Sequence, residues 1–449
     1  MKALFQTVDQ ELDRMIGDVM DICALPSIAV QNIGMKETAE KIVARMSAMG
    51  IKTQLIPVPN GNPVIYGEIT GASDKTVLFY NHYDVQPPEP LDGWASPPFE
   101  PAIRGGKLFA RGVSDNKGPL YSRLHAIETI LAVRGKLPVT VKFLIEGEEE
   151  IGSPSLEPFV QSNKELLKAD ACIWENSYKD EVGNPVVRLG NKGMLYVELI
   201  VKAAAHDYHS RFAPVIPNAA WRLNWALSTL KDENENILIN GFYDRVRPIP
   251  PEEYPALAAF AGQEEEVLKR TKLKRLLNDV KGVEFIDKLL NSPTCTICGI
   301  NSGYTGQGQK TVLPCYAMAK VDFRLVVDQD PKEIASLLRQ HLDAHGYSDV
   351  EVHTISMAKA SKTPITDPLV KVVVDAARMV YDRPCVIEPT AAGTGPRYVF
   401  TDWTDMPIIA IGPGYAGSQN HAPDENVVVE DYRQAVKHVI AFLYEFARS

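Results

Sequence analysis

The sequence predicts an α/β protein in which a helix-covered sheet is interrupted by an inserted second domain. Three observations carry this expectation. At 449 residues the chain exceeds the size at which one hydrophobic core stops growing, so two domains are expected. Along its first part, helical and strand patterns alternate, the arrangement that lays helices on the faces of a sheet. After Gly190-Asn191-Lys192-Gly193 the pattern changes, and the alternation returns only near Pro364.

Taken in order, residues 4–23 and 36–49 have helical apolar spacing, and 53–58, 64–69 and 76–80 read as strands. A helix at 119–134 leads through the Gly135 turn into a strongly apolar strand, 139–145. Then come a strand at 194–202, a helix at 218–232, and a charge-rich helical stretch at 264–281 that reads as a solvated face. Strands at 317–326 and 350–355 follow, and Pro364 with Asp367-Pro368 opens a helix through Met379. The expected organisation is one discontinuous domain, 1–193 with 357–449, around an insertion at 194–356.

Composition narrows the function classes. With 45% apolar and 23% charged residues the chain should fold rather than stay disordered. A balance of 47 basic against 57 acidic residues, net charge -10, argues against a large surface for nucleic acid or anionic lipid. The first 21 residues lack the basic start and unbroken apolar run of a signal peptide, and no run of about 18 apolar residues offers a membrane span. The expected location is the cytoplasm. Six scattered cysteines fit a reducing compartment. Cys295 and Cys298 form a CxxC inside a stretch that reads as a strand, where positions three apart point to opposite faces. Both therefore read as small buried side chains rather than as a metal or redox pair.

The chemically suggestive clusters begin mostly where strands stop, the place where α/β sheets build their sites. In Asn81-His82-Tyr83-Asp84, an extended backbone puts His82 and Asp84 on one side, so the carboxylate can orient the imidazole as a metal ligand. A structural histidine bonded to its neighbour fits the same spacing. Asp115, in Arg111-Gly112-Val113-Ser114-Asp115-Asn116-Lys117-Gly118, suits a helix cap or a carboxylate shared by two cations. Ile145-Glu146-Gly147-Glu148-Glu149-Glu150 concentrates carboxylates at the end of a buried strand, which is costly unless a cation offsets them or the turn is solvated. With Glu175 and His421 these residues make two histidines and three carboxylates, an inventory suited to paired zinc, manganese or cobalt.

Read together and in order, HYDVQP, RGVSDNKG, the EExGS element, an inserted-domain His-Ser, KTVLP followed by FRLV, and the late histidine carry a resemblance over nearly the whole chain. The sequence resembles the dinuclear metallopeptidases grouped with carnosine dipeptidases, cytosolic nonspecific dipeptidase, bacterial glutamate carboxypeptidase, aminoacylase and the acetylornithine and succinyl-diaminopimelate deacylases, the M20 family. The resemblance implies a mixed-sheet, zinc-peptidase-like catalytic domain carrying an α+β lid and dimerisation domain. It implies two divalent cations, zinc first and manganese or cobalt as alternatives. His82, Asp115 and Glu175 would hold one, Asp115, Glu150 and His421 the other, with Asp115 bridging. Where many relatives have aspartate, this chain has Glu175.

By the same resemblance Glu149 is the general base, while the extra Glu148 makes a one-residue slip conceivable. His209 falls where the family hydrogen-bonds the tetrahedral oxyanion, often across a dimer interface. An exposed loop histidine is the plainer reading. Thr311 and Arg324 match positions that contact the substrate's terminal carboxylate, and Gly393-Thr394-Gly395-Pro396 the loop lining that pocket; a surface ion pair would also account for Arg324. A homodimer is implied, with Trp221, Trp225 and Leu230 on the lid helix either facing a partner or packing onto the lid's own sheet. The expected substrates are dipeptides or short peptides. The alternatives are an N-acyl amino acid deacylase and a non-catalytic binding protein.

Overall fold

The computed structural model describes residues 1–449 and divides them into two compact units. The first comprises Met1–Gly190, Thr363–Pro389 and Val399–Ser449, and the second Asn191–Lys362 with Thr390–Tyr398.

The first unit is built on an eight-stranded mixed sheet. Its strands run in the order Lys52–Ile56, Val64–Ile69, Thr140–Glu146, Thr76–His82, Ala171–Trp174, Ile408–Ala410, Val186–Arg188, Val386–Glu388. The first two pairings are antiparallel and the next three parallel. Thr76–His82 and Thr140–Glu146 are buried almost throughout, which is why they read as apolar runs rather than alternating strands. The helices Lys2–Cys23, Lys117–Arg134, Pro368–Arg378 and Val429–Phe446 pack against one another and share one apolar core with the sheet. In Lys2–Cys23 the core-facing stripe is Leu4, Val8, Met15, Val19 and Ile22, the spacing of a helix with one buried side. Pro368 opens its helix at the first position, where a missing N–H costs nothing, and Asp367 caps the Leu369 amide at 2.8 Å.

The second unit has a four-stranded antiparallel sheet in the order Thr296–Ser302, Tyr316–Leu325, Gly193–Lys202, Glu351–Ala358. Leu195, Val197, Leu199 and Val201 alternate inward and meet Ala319, Val321 and Phe323 across the ladder, under the helices Ala219–Ser228 and Pro331–Ala344. Burying each such Val, Leu or Phe contributes roughly 1.5–3 kcal/mol.

Three local expectations are corrected. The helix expected over 218–232 is Ala219–Ser228, capped by Asn218, and the chain beyond it turns so that Leu230 joins the core and Lys231 bridges to Ile237. The charged stretch 264–281 is not one helix, for Gln263–Thr271 stops where Lys272 turns left-handed at φ 57°. Charge spacing says nothing about such a turn, which local backbone geometry sets. All six cysteines are free, but only Cys295 of the pair is buried: it joins the second unit's core just before the edge strand Thr296–Ser302, whereas Cys298 lies within that strand, which is exposed along most of its length.

Candidate metal centre

The centre grows from three adjacent parallel strands whose carboxyl ends lie along one edge of the first unit's sheet. His82 is the last residue of Thr76–His82. Glu149 and Glu150 form the turn after Thr140–Glu146, and Glu175 follows Ala171–Trp174 directly. Gly147 lets the chain turn there, since a Cβ at this position would strike the Tyr83 ring. Asp115 arrives from the loop before Lys117–Arg134, and His421 from the loop before Asn426–Val428.

These five side chains converge as two triads around one carboxylate. His82 Nε2 stands 3.1 Å from Asp115 Oδ1 and 3.7 Å from Glu175 Oε2. His421 Nε2 stands 3.2 Å from Asp115 Oδ2 and 3.1 Å from Glu150 Oε2. Ligand atoms of His82, Asp115 and Glu150 all lie within 4.8 Å of one another. Two carboxylate oxygens, Glu150 Oε1 and Glu175 Oε2, are buried without a hydrogen-bond partner. Buried acceptors of that kind are rare and costly, and a pair of divalent cations would satisfy both. The donor set, two imidazoles and three carboxylates, fits zinc, manganese or cobalt.

The electrostatics tell the same story. Burial, reinforced by the Glu175 carboxylate, raises Glu149 well above the usual carboxylate range. Burial likewise pushes Glu175 up to about 7, with Asp115 adding to the rise. Hydrogen bonds to Asp115 and Glu150 raise His421 to about 10. Acids and bases that both rise mark a site short of positive charge. Asp115 runs the other way: burial opposes its ionisation, but the His421 and His82 rings hold it well below the ordinary range.

Asp84 ties the two halves of the turn region together. Its Oδ1 lies 3.3 Å from His82 Nδ1, and its carboxylate accepts the backbone N–H groups of Glu149 at 3.2 Å and Glu150 at 2.9 Å. One buried carboxylate thus contacts the His82 imidazole and the glutamate turn together. Glu148, by contrast, turns away to accept the amides of Asn62 at 2.8 Å and Ser155 at 3.2 Å. Arg123 gave no sequence signal, since it sits inside a helix buried nearly all round. Its guanidinium donates to the carbonyls of Tyr80 at 2.7 Å and Glu175 at 2.9 Å, and also to Asn81 and the Trp174 carbonyl, stitching together two of the strand ends. Glu425, equally silent in the sequence, binds the loop that carries Asp115.

The remaining predicted positions all lie in the second unit, as two pairs. Thr311 Oγ1 is 3.4 Å from His209 Nε2, and His209 is exposed. Arg324 donates to Thr394 Oγ1 at 2.8 Å and pairs with Asp322 at 2.9 Å.

The family model for peptidase family M20/M25/M40 matches residues 78–445, a span that holds all five convergent side chains. The chain belongs to peptidase family M20/M25/M40. Like others in this peptidase family it is a hydrolase of the metallopeptidase type, and its mixed sheet has the fold found there. An M20 family metallo-carboxypeptidase from Sulfolobus solfataricus, Sso-CP2, superposes with a TM-score of 0.92 at 38% identity, over 97% of this chain and 99% of that one. The Beta-Ala-His dipeptidase of Rattus norvegicus is 28% identical over 98% of this chain and 90% of its own length. The Cys-Gly metallodipeptidase DUG1 of Saccharomyces cerevisiae is 32% identical over 67% of this chain and 64% of its own.

Proposed function

We propose that this M20 chain hydrolyses the peptide bond of dipeptides or short peptides at a centre for two divalent cations, zinc first. The observation that carries the reading is Asp115, whose two oxygens each face a histidine and a glutamate-bearing triad. His82, Asp115 and Glu175 would hold one cation, and Asp115, Glu150 and His421 the other. When bound, the pair supplies Lewis acidity, drawing charge from the scissile carbonyl and acidifying water. Glu149, placed on the same turn as Glu150 but outside both triads, takes the proton of the attacking water and returns it to the leaving nitrogen. Asp84 keeps His82 and that turn in register.

In this reading His209 donates a hydrogen bond to the oxyanion, and Arg324 with Thr394 and Thr311 grips the substrate's terminal carboxylate. The second unit, with a core formed around residues 194–356, acts as a lid and dimerisation domain, and the protein works as a homodimer. Trp221 and Trp225 support the dimer: they stack at 5.7 Å yet stay 57% and 51% exposed, while Leu230 packs inside. No helix is long and apolar enough to cross a membrane, and six free cysteines support placement in the cytoplasm.

The test is elemental analysis of gently purified protein beside hydrolysis of a dipeptide panel, N-acetyl amino acids and N-succinyl amino acids. Two cations per chain and dipeptide turnover that chelation abolishes are expected. Activity confined to the acylated amino acids would replace the peptidase with a deacylase using the same residues.

A further inference from the structure

Four residues beyond His421, the side chain of Glu425 is fully buried beneath the Asp115 loop. Its Oε1 accepts the backbone N–H groups of Ser114 and Asp115, both at 2.9 Å. Its Oε2 accepts the Gly112 N–H at 2.9 Å and Arg111 Nη1 at 2.8 Å. Its own carbonyl takes the Ala110 N–H at 3.1 Å. A carboxylate offers about four lone-pair sites, and these four donors occupy them. Arg111 is as deeply buried, and its second nitrogen reaches the Pro87 carbonyl at 3.3 Å.

A buried carboxylate is tolerated when it is paired and saturated with hydrogen bonds, and here every bond goes to one loop. The peptide amide of Asp115 is among them, so the clasp acts on the shared ligand itself. On the other side the chain between clasp and ligand is held in shape. His421 and Asp424 are left-handed at φ 62° and φ 57°, conformations that persist in such residues only when the surroundings enforce them. Asp424 supplies that restraint, accepting the Ala95 N–H at 3.1 Å and Arg104 at 3.2 Å.

We propose that Glu425 is a positioning residue for the second cation, clasping the Asp115 loop to the His421 loop so that Asp115 Oδ2 and the His421 imidazole are set in place before a cation binds. Without the clasp, the two loops must be ordered at the moment of binding, and that cost appears as lost affinity. The effect falls chiefly on the site of Asp115, Glu150 and His421, because His82 and Glu175 stand on strand ends that Arg123 stitches independently. The inference rests on the two-cation reading above.

Calorimetric titration of the chelator-stripped full chain with zinc tests it, using Glu425→Gln and the paired variant Arg111→Met with Glu425→Gln. The pair removes both buried charges, so its fold does not carry an orphaned guanidinium, and melting of the stripped proteins checks this. The parent should take up two cations. Both variants should bind the second roughly 10–100-fold more weakly, the range for residues that orient metal ligands, and the first with a clearly smaller loss. Excess zinc should restore kcat with KM unchanged. Parent-like affinity for the second cation in the folded paired variant, or equal weakening of both sites, overturns the clasp. A parent chain that takes up fewer than two cations removes the two-cation reading, and the clasp with it.

Discussion

His82 and His421 are held on the two oxygens of a single carboxylate, with Nε2 of the first 3.1 Å from Asp115 Oδ1 and Nε2 of the second 3.2 Å from Asp115 Oδ2. They are far apart in the chain, and they come from a buried strand end and an exposed loop. The shared carboxylate makes the two halves of the centre interdependent, which gives the first prediction. Asp115→Asn keeps the side-chain shape but removes the charge and one acceptor. Elemental analysis after gel filtration should find at most one cation per chain. The loss in kcat/KM should exceed the ~100-fold that marks residues supporting a metal ligand without touching the metal.

Glu149 should separate binding from turnover. It shares the turn with Glu150 but belongs to neither triad, and Asp84 fixes its backbone N–H at 3.2 Å. Glu149→Gln preserves that backbone contact and removes the proton acceptor. The expected result is a kcat lower by about 10²–10⁴-fold, the span of general base catalysis, with two cations still bound. Loss of metal together with turnover would make Glu149 a ligand instead.

Much of this was legible in the residues, for identifiable reasons. The strands read at 76–80 and 139–145 are Thr76–His82 and Thr140–Glu146, legible because burial on both faces demands apolar runs, and the candidate ligands near their ends stand out as polar groups where those runs stop. Asp115 and His421 lie in loops, where spacing carries no period, so their pairing came through ordered motifs and not geometry. The Arg111–Glu425 pair was invisible, since its partners are 314 residues apart and a charged residue in a polar loop reads as solvated. The break after Thr271 escaped for a related reason: it falls at Lys272, which is left-handed although lysine seldom adopts that conformation, while Asn278, a residue type that does favour it, lies beyond the break.

The run Glu148-Glu149-Glu150 left the register of the base open in the sequence, and Glu148 offers a direct check. Its carboxylate is committed to the amides of Asn62 and Ser155 at 2.8 and 3.2 Å, so its work is to fasten the glutamate turn to the loop at residue 62. Glu148→Ala leaves both amides short of an acceptor, a cost of roughly 1–3 kcal/mol. Thermal melting should drop by several degrees while kcat on dipeptides stays close to that of the parent chain. Abolished turnover in a well-folded, fully metallated Glu148→Ala protein would move the base one position.

Arg324 should separate carboxylate recognition from chemistry. It is fixed on one side by Asp322 at 2.9 Å and on the other by Thr394 at 2.8 Å, so the guanidinium is oriented before any substrate arrives. An oriented guanidinium can bind a carboxylate through two parallel hydrogen bonds, and charge-assisted bonds of this kind are worth about 1.5–3 kcal/mol. Arg324→Met should therefore raise KM for free dipeptides by roughly 10–100-fold, at about 1.4 kcal/mol per factor of ten. The decisive comparison is with the same dipeptides carrying a C-terminal amide. They lack the carboxylate, so parent and variant should hydrolyse them alike, slowly and with similar KM. If Arg324 served only to pair with Asp322, both substrates would suffer equally, and steady-state kinetics on the two series would assign the arginine to the fold rather than to the substrate.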